Sequence, residues 1–64
     1  MIETCIHAIT SNGQEQFHHS VKFVPHKYDR ISLSLDGPIY EVDYTLYNLF
    51  GTSDEIEIHC HEVN

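Results

Sequence analysis

Histidine is the residue type in this chain most suited to metal binding or catalysis, and six histidines occur among 64 residues. His59 and His61 are two positions apart, which places both imidazoles on one face of a strand. His7 and His18 are expected opposite each other on a hairpin, so four imidazoles would share one outer face. Neutral imidazole binds zinc and nickel. The alternatives are a polar sheet face or a subunit contact. Since no Cys-x-x-Cys or His-Glu-x-x-His pattern is present, the sequence predicts no bound metal and no cofactor.

Catalytic patterns are equally sparse. Cys5 and His7 share a strand face, but no third group is placed to orient them. Glu41 and Asp43 carry carboxylates, but the sequence indicates no concave pocket that would raise the pKa of either one for acid–base catalysis. The chain also has no Gly-rich phosphate loop. We therefore predict that the protein is not an enzyme, and that the inward-facing His19 is a hydrogen-bonded core residue.

Charge is the most informative property of the composition. The net charge is −7, and residues 36–64 contain no Lys or Arg. Such a surface repels phosphate backbones and attracts basic partners, so we expect no direct binding to nucleic acid. The alternative is that the charge only keeps the chain soluble. The acidic residues of this half are Asp36, Glu41, Asp43, Asp54, Glu55, Glu57 and Glu62.

The chain is short, with a mass of 7.4 kDa, and predicts a single domain over residues 1–64. A domain of this size has a marginal core and often gains stability from a partner subunit. No apolar run is long enough for a membrane span, and no secretory signal pattern is present. Cys5 and Cys60 are expected on opposite sheet faces, which disfavours a disulfide. The sequence thus indicates a soluble, intracellular protein with reduced thiols.

Residues 2–24 predict a β-hairpin. The Asn12-Gly13 pair is typical of a type I′ turn and sets Ala8 opposite Phe17. Residues 31–35 alternate between apolar residues and serine, which suggests an extended segment covering a sheet edge. Residues 55–63 predict a strand with Ile58 and Cys60 facing the core.

Residues 39–50 support two interpretations. Ile39, Val42, Leu46, Leu49 and Phe50 fall on one face of a helix, which Pro38 and Gly51 would bracket. A strand is the alternative, because apolar and acidic residues also alternate with a period of two over residues 40–46. We predict the helix, since only that pattern includes residues 49 and 50. The expected fold class is therefore α+β, with a three-stranded antiparallel sheet and one α-helix, in a homodimer.

A binding surface is the remaining functional interpretation. Tyr40, Tyr44 and Tyr47 form a stripe at helical spacing among acidic residues, and tyrosine is common in interfaces. The alternative is that these rings complete a small core.

Several short motifs occur in an order that resembles a known family. They are Asn12-Gly13 followed by Phe17-His18, then Ile31-Ser32-Leu33-Ser34, then Tyr40-Glu41-Val42-Asp43-Tyr44, and finally Thr52-Ser53-Asp54-Glu55-Ile56. In this order they resemble the very short uracil-DNA glycosylase inhibitors of small-tailed Bacillus phages. The chain differs in having about one more helical turn after Tyr44 and a hairpin loop without acidic residues.

The resemblance implies a homodimer that imitates DNA and acts in the host cytoplasm on uracil-DNA glycosylase. Tyr40, Glu41 and Tyr44 would contact the enzyme. Anions would replace phosphates, and paired aromatic stripes would line a pocket for the apolar side chain that the enzyme inserts during base flipping. The expected anions are Glu41, Asp43, Asp54 and Glu55, and Tyr47 would extend the pocket. The alternatives are an acidic module for another DNA-binding protein, such as a nuclease or transcription factor, and a histidine-rich metal-binding protein.

Overall fold

A computed structural model describes residues 1–50 and 55–63, and every regular element in these residues is a β-strand. The strands form one mixed sheet in the order β2-β1-β5-β4-β3. Neighbouring strands are antiparallel, except that β1 and β5 are parallel. None of the described residues forms a helix of the length and apolarity needed to cross a membrane. The strands are β1 Ile2–Thr10, β2 Gly13–Val21, β3 Arg30–Ser32, β4 Ile39–Asn48 and β5 Glu55–Val63.

The α+β prediction is therefore wrong, because residues 39–48 form strand β4 and not a helix. Six of the ten residues in β4 are β-branched or aromatic, and these residue types fit a pleated, half-buried surface better than a helix. Leu49 and Phe50, which favoured the helix, lie beyond the strand and are 74% and 76% exposed. The predicted three-stranded antiparallel sheet is replaced by five strands with one parallel pair.

The hairpin of β1 and β2 and the strand at residues 55–63 are confirmed, but the hairpin register differs from the prediction by two residues. Thr10 pairs with Gly13, and Ile6, rather than Ala8, lies opposite Phe17. A positive φ occurs at Gly13 and not at Asn12, which excludes a type I′ turn and is typical of a turn followed by a glycine bulge. A shift of two residues keeps every side chain on its predicted face.

The core lies on one side of the sheet, here called the inner face. It consists of buried side chains from the three central strands, with Phe17, Ile31 and Leu33 packed against them. The chain crosses from β2 to the opposite sheet edge over this face, since Thr45 Oγ1 donates a hydrogen bond of 2.7 Å to the Pro25 carbonyl. His19 is exposed, so the predicted buried histidine is wrong. The buried core residues are Ile6, Ala8, Tyr40, Val42, Ile58 and Cys60.

A β-bulge in β4 determines which side chains reach the opposite side of the sheet, here called the outer face. The register between β4 and β5 shifts between Val42 and Tyr44. Val42 lies opposite Cys60 on the inner face, whereas Tyr44 lies opposite His59 on the outer face. The bulged Asp43 therefore reverses the alternation of β4, because an extra residue changes the face of every residue after it.

The central position of Ile58 yields a direct test of the core. Ile58 is fully buried, so we expect Ile58→Ala to lower the free energy of unfolding by about 2–5 kcal/mol and Ile58→Val by about 0.5–1.5 kcal/mol. Leu35→Ala is the control, because Leu35 is 97% exposed, and should change it by less than about 0.5 kcal/mol. Urea unfolding followed by circular dichroism measures all three. Equal effects at positions 58 and 35 would contradict this core.

The two thiols provide a second test. Cys5 and Cys60 are free and buried, and burial, followed by the nearby Asp43 carboxylate, raises the pKa of Cys60 to about 11. Because the thiolate is the reactive form, we expect neither cysteine to react with a disulfide reagent in the native protein at mildly alkaline pH. Both should react promptly in denaturant. Fast labelling of either thiol under native conditions would contradict their placement.

Candidate functional site

The outer face carries a row of three stacked rings across β1, β5 and β4. His7 and His59 are direct neighbours in the parallel pair, and Tyr44 lies opposite His59 on the other side. The ring centroids of His7 and His59 are 4.6 Å apart with an interplanar angle of 5°. Those of Tyr44 and His59 are 4.4 Å apart at 11°. We call this row the ring stack.

The Glu57 carboxylate lies beside the ring stack. Its Oε1 atom is 3.3 Å from His7 Nε2 and 3.0 Å from His59 Nε2. Its Oε2 atom accepts a hydrogen bond of 2.6 Å from Asn48 Nδ2. The hydrogen bonds from Asn48 and then His59 lower the pKa of Glu57, because each stabilises the ionised carboxylate. Glu57 is therefore a preferentially charged group held between two imidazoles.

A second imidazole–carboxylate pair lies on the same face. His61 Nδ1 is 2.8 Å from Asp43 Oδ1, and His61 Nε2 is 4.0 Å from Glu41 Oε2. The hydrogen bond with Asp43 is the main reason that the pKa of His61 is raised. Glu41 also lies 3.7 Å from Arg30 Nε at the sheet edge. Glu41 lies opposite His61 in the β4–β5 register, and the bulged Asp43 shares its face, so two carboxylates lie within 4.0 Å of His61.

The predicted partner-binding residues are divided between the two faces. Glu41, Tyr44 and Glu55 lie on the outer face by their register, together with the bulged Asp43. Asp54 lies outside the described residues.

Two of the predicted tyrosines are not on that face. Tyr40 is only 4% exposed on the inner face, where burial raises its pKa. Tyr47 lies opposite Ile56 on the inner side of β4. The predicted aromatic stripe of Tyr40, Tyr44 and Tyr47 does not form, because residues spaced for one helical face alternate in a strand and are further divided by the bulge.

The predicted cluster of four imidazoles is also only partly formed. His7 and His59 meet, whereas His61 pairs with Asp43, and His18 is exposed opposite Cys5. Glu57 and Asn48 were not predicted as members of the site. The alternation of β5 does place Glu57 on the face of His59. The parallel pairing that brings His7 to them has no local sequence signal.

A cavity of about 450 Å³ lies on the inner side of the sheet. Apolar side chains from Phe17, Leu33, Pro38 and Tyr40 form part of its wall, and Glu15 and His19 add polar groups. Tyr40 is therefore part of both the core and the wall of this cavity. The sheet separates the cavity from the ring stack.

No protein-family model, no curated protein and no solved structure matches the chain. The inference of function therefore depends on the side chains of the outer face and on the sequence motifs that they include.

Proposed function

We propose that this protein is a non-enzymatic inhibitor of uracil-DNA glycosylase that binds the enzyme in place of DNA. The observation that carries the proposal is the composition of the outer face, where five carboxylates share one side of the sheet with the ring stack. The family resemblance of the motifs supplies the class of target. The outer-face carboxylates are Glu3, Glu41, Asp43, Glu55 and Glu57.

The negative charge of this face suits a partner protein whose own surface binds DNA. Arg30 is its one guanidinium, at the edge strand β3, and residues 36–64 contain no Lys or Arg. A glycosylase holds DNA with groups that donate hydrogen bonds to the phosphates, and the same donors attract a surface of carboxylates. The attraction accelerates encounter and weakens as salt is added.

The ring stack gives the face a second feature of a nucleic-acid strand, since planar rings are stacked beside anionic oxygens. Tyr44 is 52% exposed, and Leu46, which follows it on the same face, is 44% exposed. These two side chains offer apolar area to the side chain that the enzyme inserts beside a flipped base. Burying one such side chain contributes about 1.5–3 kcal/mol.

This proposal revises the contact set that the resemblance implies. Glu41 and Tyr44 are accessible to the enzyme, whereas Tyr40 is buried and cannot contact it. The face is built on strands, and not on the helix that the family resemblance implies. The enzyme would be met in the host cytoplasm.

A homodimer is part of the proposal. The chain exposes Leu49 and Phe50 next to each other after β4, at 74% and 76%, and Phe23 is 83% exposed. Exposed apolar area of this kind is common at contacts between subunits. A second copy would cover it and add stability to a small core.

Inhibition of uracil excision is the first test, performed with a chelator present. We expect a stoichiometric amount of the protein to abolish excision from uracil-containing DNA. The double variant Glu41→Gln/Glu55→Gln should weaken inhibition at least tenfold, because it removes two outer-face anions. The matched control is Glu15→Gln/Asp36→Asn, which changes the net charge equally at exposed positions outside that face and should inhibit like the wild type.

Unchanged excision with excess protein would reject the glycosylase as the target. Equal weakening by both double variants would show that net charge alone acts, and would reject the outer face as the contact surface. If excision is unchanged, capture of a nuclease or a transcription factor would identify the alternative target.

The oligomeric state is tested separately by light scattering. We expect a mass of about twice the 7.4 kDa of one chain. Phe50→Ser should shift the mass toward one chain, because it removes apolar contact area, while Ser11→Ala, at an exposed position in the hairpin turn, should leave the dimer intact. A wild-type mass of one chain over the full concentration range would contradict the homodimer.

A further inference from the structure

We propose that His7, Glu57 and His59 form a binding site for one divalent transition-metal ion, with zinc as the reference ion. This inference goes beyond the proposed inhibition and does not depend on it. Each residue offers one donor atom, and the three donor atoms lie within 4.8 Å of one another. They come from two adjacent strands of the sheet, and not from a mobile loop.

The distances between donors are close to those of a metal site. In tetrahedral zinc sites, ligand atoms about 2.0–2.2 Å from the ion are roughly 3.4 Å from each other. Here Glu57 Oε1 is 3.3 Å from His7 Nε2 and 3.0 Å from His59 Nε2. Both nitrogens thus already approach the same carboxylate oxygen, and an ion can be accommodated when the two imidazole rings rotate toward each other.

The sheet holds these donors in place before any ion binds. His7 and His59 are paired across β1 and β5, and Cys5 is paired with Glu57, so all three ligands project from one face. Their side chains are 18%, 23% and 22% exposed in the order His7, Glu57 and His59. This partial burial limits their motion and leaves an approach for an ion from solvent.

Two further side chains support the ligands from outside the donor set. Asn48 Nδ2 donates to Glu57 Oε2 at 2.6 Å, which leaves Oε1 directed at the imidazoles. The ring of Tyr44 stacks on the other side of His59. Supporting hydrogen bonds and packing of this kind orient the ligands of known metal sites and raise their affinity.

The donor set indicates the class of ion. Two imidazoles and one carboxylate suit zinc, nickel or copper, whereas calcium and magnesium prefer six or more oxygens. The charge is also favourable, because Glu57 supplies a carboxylate ligand and the carboxylates of Glu3, Glu41, Asp43 and Glu55 lie on the same face. Three protein ligands leave one tetrahedral position for water or for a group of a bound partner.

Binding requires two local adjustments. In the metal-free arrangement each imidazole can donate a hydrogen bond from Nε2 to Glu57, so the proton must move to Nδ1 before Nε2 can bind an ion. The two rings, now within 5° of parallel, must also tilt toward each other so that both lone pairs point at the ion. Both changes are confined to side chains and leave the β1–β5 backbone pairing intact.

Calorimetric titration of the full chain with zinc at neutral pH tests the site. We expect saturation at one ion per chain. His7→Ala, His59→Ala and Glu57→Gln should each weaken binding at least tenfold, and Asn48→Ala by about tenfold. His18→Ala and His26→Ala are the matched controls, because both imidazoles are exposed and outside the cluster, and they should bind zinc like the wild type.

A measurement on the unaltered protein keeps the test valid if a variant does not fold. In the NMR spectrum of the wild type, the first equivalents of zinc should shift the imidazole signals of His7 and His59 and the ring signals of Tyr44. The absence of saturable binding would overturn the proposal. Equal weakening by the control variants, or first shifts at His61 or His18, would overturn it as well. Because no glycosylase is used here and the excision test contains a chelator, each proposal fails or succeeds by itself.

Discussion

The structure depends most on the parallel pairing of β1 with β5. These strands come from opposite ends of the chain, and their pairing makes both of them central in the sheet. On the inner face it joins Ile6 to Ile58 and Ala8 to Cys60, and these four residues are among the most buried in the protein. On the outer face the same register joins His7 to His59. One set of backbone hydrogen bonds thus builds the core and the candidate site together.

The β-bulge at Asp43 is the second feature on which the outer face depends. It determines which side chains of β4 lie beside β5 on that face. Without the extra residue, Tyr44 would follow Val42 onto the inner face, and His59 would have no ring beside it on β4. With it, Tyr44 stacks on His59, next to the pair formed by Asp43 and His61. The outer face is consequently a surface of imidazoles, carboxylates and one tyrosine ring. Its carboxylates supply the negative field and accept hydrogen bonds from the histidines.

Local sequence patterns were sufficient for the elements whose signals are local. The hairpin, the strand at residues 55–63 and the face of every hairpin residue were predictable, since alternation and a turn glycine depend on near neighbours. The exact register was not, because Asn12-Gly13 fits both a two-residue turn and a turn with a glycine bulge. The helix prediction for residues 39–50 is wrong because it relies on Leu49 and Phe50 to extend an apolar helical face, whereas both side chains are largely exposed.

The candidate site was predictable only in its parts. The sequence placed Glu57, His59 and His61 on one face of one strand, but the arrival of His7 requires two strands more than forty residues apart to pair in parallel, and no short pattern encodes that. Tyr40 shows the opposite difficulty. Its predicted role as a contact residue comes from the family resemblance and from a tyrosine stripe at helical spacing. In strand β4 the same position faces the core.

The most direct measurement of the central claim is the pattern of short proton–proton contacts between β1 and β5 in solution. Nuclear Overhauser effects should connect Ile6 with Ile58 and Ala8 with Cys60 through the backbone, and the His7 and His59 rings through their side chains. All three connections are expected in the protein without bound metal or partner. Their absence, together with the sequential amide contacts of a helix over residues 39–50, would contradict it.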